Sequence, residues 1–140
     1  MPPAFARRCY GHLAGRLGVA VADALIESGV LRPASETTHE VTEYELTDDG
    51  EAWFRDLGVA VGALKPSSRG MARPCLDGTE RRPHLGGPLA VALLERLMAL
   101  GWLEPGGAPR ALRVTPAGEP ALAALLGIEV AALRDERAGL

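Results

Sequence analysis

The sequence predicts an α+β fold, mostly helical, in which a helix-strand-strand-helix unit occurs twice. Three observations carry this expectation. His12-Leu13-Ala14-Gly15 returns as His84-Leu85-Gly86-Gly87, Leu17 as Leu89, Leu25 as Leu97, and Gly29-Val30-Leu31 as Gly101-Trp102-Leu103, all at one offset of 72 positions. Leu85, Leu89, Leu93, Leu97 and Leu100 follow helical spacing. Each such stretch then ends in a glycine and runs into short alternating segments bounded by Pro and Gly, as hairpin strands do.

In the first copy Leu13, Leu17, Val21 and Leu25 share one helix face, with Arg16, Asp23 and Glu27 opposite. Gly15, Gly18 and Ala22 form a small-residue face suited to a closely packed neighbouring helix. A loop from Pro33 to His39 follows, and Leu46-Thr47-Asp48-Asp49-Gly50 opens a short helix over 48–57, because Thr47 can cap it and acids favour its first turn. In the second copy the spacing predicts a helix over 87–100, with Pro88 in the first turn and Gly101 as its stop. Val91, Leu94 and Met98 are apolar outside the leucine stripe, which predicts burial on more than one side.

A hairpin over 102–114 turns at Pro105-Gly106-Gly107-Ala108-Pro109. Val114-Thr115-Pro116-Ala117-Gly118, the counterpart of the 46–50 string, opens a helix over 116–126 that Gly127 stops. A final amphipathic segment covers Glu129 to Arg137. The boundaries are 1–65 for the first repeat, 66–74 for a Pro-, Ser- and Gly-rich linker, and 75–140 for the second repeat, the two expected to pack as one globular unit. Trp53 and Trp102 read as packing residues and His39, beside Glu40, as solvent-exposed.

A chain of 140 residues is one domain's worth, and 47% hydrophobic with 24% charged residues is a globular composition. Unbroken apolar runs reach only six residues, as at Leu89 to Leu94, against about 20 for a membrane helix. Arg7 and Arg8 precede no clean apolar segment of the secretory kind, so a cytoplasmic chain is expected. Fifteen basic against 18 acidic residues, a formal charge of −3, argue against autonomous DNA binding. No nucleophile elbow, phosphate-binding glycine loop or His-Glu-x-x-His string occurs, so no enzyme is expected.

Two cysteines are too few for a disulfide scaffold, and both stand near a histidine. Cys9 and His12 are separated by two residues, Cys75 and His84 by eight, each pair just ahead of a long helix. Two thiols and two imidazoles suit a tetrahedral zinc-type site if the repeats pack about a pseudo-twofold axis. Neither spacing is a finger pattern, and buried Cys with structural His is the competing reading. Arg81 and Arg82 within Thr79-Glu80-Arg81-Arg82-Pro83 suit an anion contact or, alternatively, an intramolecular ion pair.

The unit, a long helix ending in Gly-x-Leu, a hairpin and a helix opened by Thr-x-x-Gly, resembles the distal half of a winged-helix domain. Neither long helix carries the exposed basic and amide residues that base reading needs, so tandem winged-helix-like packing modules are expected instead of direct readers. The strings Arg8-Cys9-Tyr10-Gly11-His12-Leu13-Ala14-Gly15, Tyr44-Glu45-Leu46-Thr47 and Cys75-Leu76-Asp77-Gly78-Thr79-Glu80-Arg81-Arg82-Pro83-His84-Leu85-Gly86-Gly87 resemble the C-terminal region of a subgroup of ArsR-type helix-turn-helix transcriptional regulators, from about Arg7 to Arg134.

That resemblance implies the regulatory and dimerisation portion of such a regulator. A homodimer is expected, in contact with DNA only through an N-terminal reading domain absent before Met1, as in a truncated regulator, a split gene product or a stand-alone copy. No cofactor is expected, zinc or nickel being the candidate if the cysteines and histidines are ligands, and no membrane is involved. The alternative is a stand-alone metal or small-molecule sensing module acting through a protein partner. Gly11 stands where the pattern has Asp and Gly78 where it has Trp, which predicts lost side chains beside a pocket.

Overall fold

The computed structural model describes residues 4–34 and 40–135. Among these the fold is mixed α and β, with five helices and four two-stranded antiparallel sheets. The order strand, strand, helix, strand, strand, helix runs through β1 (Arg7–Cys9), β2 (His12–Ala14), α1 (Gly15–Glu27), β3 (Leu31–Pro33), β4 (Tyr44–Leu46) and α2 (Asp48–Leu57). It runs again through β5 (Arg73–Leu76), β6 (Pro83–Gly86), α3 (Pro88–Ala99), β7 (Leu103–Pro105), β8 (Leu112–Val114) and α4 (Gly118–Leu126), and α5 (Val130–Asp135) closes the chain.

Several sequence expectations need correction. A hairpin, β1–β2 or β5–β6, precedes each long helix, so Leu13 and Leu85 are strand residues and not the first turns of helices. β5 begins at Arg73, inside the segment read as linker, and α4 begins two residues later than its Thr-Pro opening suggested. Arg16 is buried, not on a solvent face: its Nη1 donates to the carbonyls of Leu133 and Arg134 at 2.9 and 3.2 Å, and its Nε lies 3.5 Å from Glu80. The loop containing His39, and Arg137, lie outside the described residues.

The Thr-x-x-Gly strings have a physical explanation. Thr47 Oγ1 accepts from the Gly50 N–H at 2.9 Å and donates to the Gly29 carbonyl, while Thr115 Oγ1 accepts from Gly118 N–H at 3.0 Å and donates to the Gly101 carbonyl. One hydroxyl therefore caps a short helix and ties it to the exit of the long helix before it. The glycine is needed because a Cβ at 50 would lie 2.0 Å from Val30 O, and one at 118 2.1 Å from Trp102 O.

Neither long helix is capped by the side chain of its own N-cap residue. Several of their orphan donors find backbone oxygens upstream, Leu17 N–H on Phe5 O at 2.8 Å and Leu89 N–H on Met71 O at 3.0 Å, while Gly15 N–H donates to the Asp77 carboxylate. Gly15 (φ +83) and Gly87 (φ +99) make the strand-to-helix turn in the left-handed region, where side chains are rarely tolerated.

The two halves interlock reciprocally. α1 packs on β6 and α3 on β2, each long helix against the other half's first hairpin. The small-residue face of α1 thus meets a strand and not, as expected, a helix: a Cβ at Gly18 would approach His84 Cβ to 3.4 Å. Backbone bonds cross in the same manner. Arg8 N–H donates to Arg110 O at 2.8 Å and Leu112 N–H to Ala6 O at 3.0 Å, while Tyr44 N–H donates to Ala72 O at 2.9 Å. The core runs continuously through both halves, with Leu17, Leu25, Phe54, Leu89, Leu97 and Leu122 all but inaccessible.

Candidate metal centre

Cys9 lies directly opposite His12 in the β1–β2 register, and Cys75 directly opposite His84 in β5–β6. Directly opposed residues share one face of a hairpin with Cβ atoms about 4.5–5.5 Å apart. The unequal spacings in sequence, two residues and eight, hide this equivalence, because β1–β2 turns tightly at Tyr10 (φ 55) and Gly11 whereas the segment 77–82 makes a wide turn. β2 lies beside β6. That contact brings one thiol and one imidazole from each half together, with all four donor atoms within 4.8 Å of one another.

Access to the cluster is uneven. His12 and His84 are 4% and 1% exposed, while Cys9 and Cys75 are free thiols and only half-buried. The imidazoles therefore form the inner wall and the sulfurs the outer one. His12 Nε2 and His84 Nε2 are 3.1 Å apart. Burial, then the neighbouring His84 and Arg73, push the His12 pKa down to about 4. Burial also lowers His84, against the opposing pull of Asp77. Both rings are neutral near pH 7. Burial and the adjacent Cys9 push the Cys75 thiol up, while the Arg73 guanidinium acts in the opposite sense.

Asp77 orders the inner wall. Its side chain is wholly buried. Oδ1 accepts from Gly15 N–H at 2.7 Å, from Arg7 Nη2 at 3.1 Å and from His84 Nδ1 at 3.0 Å; Oδ2 accepts from Thr79 Oγ1 at 2.7 Å and from the Thr79 and Glu80 N–H groups at 3.1 and 3.0 Å. Burial alone would raise this carboxyl, but bonds from Thr79, Gly15 and Glu80 together hold it well below the usual carboxylate range. An ionised carboxylate only accepts, so the His84 hydrogen resides on Nδ1 and the Nε2 lone pair points into the cluster.

All four sequence-predicted donors thus converge. The arginine pair does not: Arg82 pairs with Asp23 of α1 at 2.5 Å, and Arg81 (φ 58) is an exposed turn residue whose N–H donates to Asp77 O. Gly78 is exposed, and a Cβ placed there would meet nothing within 4 Å, so no pocket wall is missing at that position, whereas a Cβ at Gly11 would touch Val91 Cγ2 of α3 at 3.3 Å. Trp53 stacks edge-on with Phe54 and Trp102 packs partly buried on the core. Sequence reasoning missed Asp77, Arg7 and Arg73 as parts of the site. Asp77 had a legible signal, since Asp-x-Thr-Glu is a turn in which the carboxylate accepts from the N–H groups two and three residues on; the two arginines had none.

Comparison with known proteins adds one relation. The chain is similar to a transcriptional regulator. It is 36% identical over 126 residues to the Bacillus subtilis (strain 168) protein named uncharacterized HTH-type transcriptional regulator YdfF, a match covering 90% of this chain and 53% of that protein. The chain spans about half the length of the curated relative it matches. No protein-family profile and no solved structure matches it. Among the described residues no helix is long and apolar enough to cross a membrane.

Proposed function

We propose that this chain is the regulatory and dimer-stabilising portion of an ArsR-type transcriptional regulator, built from two winged-helix-like repeats, with bases read by a helix-turn-helix outside residues 1–140. The observation that carries the reading is the reciprocal packing of each long helix on the other half's first hairpin. A ligand held where the hairpins meet changes the seating of both long helices at once, which is the differential contact that a conformational switch requires. The similarity to YdfF supports a role in transcription.

The long helices themselves are poor DNA readers. The one basic residue of α1, Arg16, is buried against α5, and that of α3, Arg96, donates through Nε to Leu57 O at 2.7 Å. Neither helix offers a stripe of cations to phosphates. The test has two arms. Fluorescence anisotropy with DNA from the gene's own upstream region should show no salt-dependent, sequence-specific binding by this chain, and sedimentation should show a dimer. Fusion behind a DNA-reading helix-turn-helix of known operator should then restore dimeric operator binding. Tight specific binding by the chain alone, or a monomeric chain whose fusion leaves the reader's affinity unchanged, overturns the reading.

A further inference from the structure

We infer that Cys9, His12, Cys75 and His84 form a tetrahedral site for one thiophilic divalent cation of the zinc class, shared equally by the two halves of the chain. The convergence of the four donor atoms within 4.8 Å carries the inference. A tetrahedral zinc ion holds nitrogens at about 2.0–2.1 Å and sulfurs at about 2.3 Å, which puts two nitrogens roughly 3.3–3.4 Å apart and two sulfurs roughly 3.8 Å apart. The imidazole Nε2 atoms already stand 3.1 Å apart. Closing the widest separation in the cluster onto an ion therefore takes roughly 1 Å.

The surroundings select the class of cation. His84 offers a bare Nε2 because Asp77 holds its Nδ1 hydrogen, and a ligating imidazole backed by a carboxylate has its tautomer and ring orientation fixed in advance. With that lone pair directed at His12, either His12 Nε2 carries a hydrogen or two lone pairs oppose each other, and a shared cation removes the conflict. Two thiolates and two neutral imidazoles around a divalent ion leave no net charge in a largely buried site. Magnesium and calcium need oxygen ligands, yet both Asp77 oxygens are already taken by Gly15, Arg7, His84, Thr79 and Glu80. Cys9 and Cys75 are only half-buried, which leaves a route by which the ion enters and exchanges.

This inference names a ligand for the joint on which the regulatory reading rests. Metal uptake is measured without DNA, so the two can fail separately. The purified chain, stripped with chelator under reducing conditions, is titrated with cobalt(II) and then zinc(II). The expected result is one cobalt per chain, with the intense d–d absorption of a tetrahedral ion and a thiolate-to-cobalt charge-transfer band, both bleached by one equivalent of zinc. Cys9→Ser and Cys75→Ser, near-isosteric changes at half-exposed positions, should each remove about half of the charge-transfer intensity and weaken zinc binding by more than about 100-fold, a larger loss than outer partners cause. Circular dichroism checks that these variants fold, and Arg82→Ala should bind as the parent does. A weak octahedral cobalt spectrum without charge transfer, a stoichiometry far below one, displacement by nickel in preference to zinc, or parental binding in both serine variants would each overturn the assignment.

Discussion

His12 and His84 meet at the joint between the two halves, Nε2 to Nε2 at 3.1 Å, with ring centroids 5.0 Å apart and planes tilted by 44°. Each sits on the second strand of its hairpin, opposite its own cysteine, and on a hairpin covered by the long helix of the other half. The contact thus reports how the halves are seated. The two imidazoles therefore lie on the same hairpins that seat α3 and α1.

A metal shared across this joint predicts a thermal effect. An ion that binds only the folded chain stabilises it by about 2.7 kcal/mol at a free concentration 100 times its Kd, which for a chain of this size raises Tm by roughly 5–15 °C. Differential scanning calorimetry should show Tm falling when chelator is added and rising with zinc in a concentration-dependent way. A Tm indifferent to both would mean that no ion bridges the halves.

Acid lability follows from the neutral imidazoles. His12 is held down to about 4 in the folded chain against 6.5 in an unfolded one, so between those values the unfolded chain binds more protons. Stability contributed by the neutral ring is full above pH 6.5 and is lost as pH falls toward 4. His84 is shifted in the same direction, and Asp77, also lowered, adds its loss below the ordinary carboxylate range. The chelator-treated chain should therefore show a Tm that declines steadily from pH 7 to pH 4. A Tm flat over that interval would show that neither histidine is held neutral by the fold.

Helix propensity alone says that Gly50→Ala and Gly118→Ala should stabilise α2 and α4 by about 1 kcal/mol each. The packing says the reverse, since the new Cβ would lie 2.0 Å from Val30 O or 2.1 Å from Trp102 O, and backbone cannot move aside as a side chain can. Each substitution should cost about 1–3 kcal/mol. Thr47→Ala and Thr115→Ala, which remove the capping hydroxyls at the same two corners, should cost about 0.5–2 kcal/mol. Urea denaturation of the four variants decides it, and a stabilised glycine variant would refute the close approach.

Much of this architecture was legible because it follows local rules. The leucine stripe, Pro88 and Gly101 fixed α3 to within a residue at each end, and the Thr-Asp-Asp opening fixed α2. The hairpins before the long helices were not legible. Leu13 and Leu85 happen to continue the helical spacing, and nothing local distinguishes a buried strand of three or four residues from a helix start. The donor set could be named from residue type, but its geometry depends on cross-strand register, which two loops of different length conceal. Arg16 was misplaced because its partners, the carbonyls of α5, lie more than a hundred residues away.

Arg16 offers a local test. Arg16→Leu keeps a long side chain in α1 but removes the bonds to the Leu133 and Arg134 carbonyls and the ion pair with Glu80. Unmade bonds to such groups cost about 1–3 kcal/mol. Because α5 is short and joined to the rest chiefly through α1 and α4, the loss should appear as local opening. Hydrogen exchange should accelerate over 130–135 while the amides of α3 exchange as before. Uniform acceleration would mean that Arg16 supports the whole fold instead.

Asp77→Asn separates the architecture of the site from its ligands. An amide must present an NH2 group where a carboxylate oxygen now accepts, either toward Gly15, Arg7 and His84 or toward Thr79 and Glu80. In the first orientation His84 has to accept at Nδ1, which moves its hydrogen to Nε2 and blocks the ligating lone pair; in the second, three donors lose their acceptor. Removing the buried charge from Arg7 and these donors should cost about 3–5 kcal/mol in the metal-free chain. Loss of an outer partner to a ligating histidine should separately weaken zinc by about 10–100-fold. The two effects are read independently, stability by denaturation in chelator and affinity by competition with a zinc indicator on the folded fraction. A variant destabilised to this extent but with parental zinc affinity would restrict Asp77 to holding the turn at 77–82 and the start of α1, and would remove it from the positioning of His84.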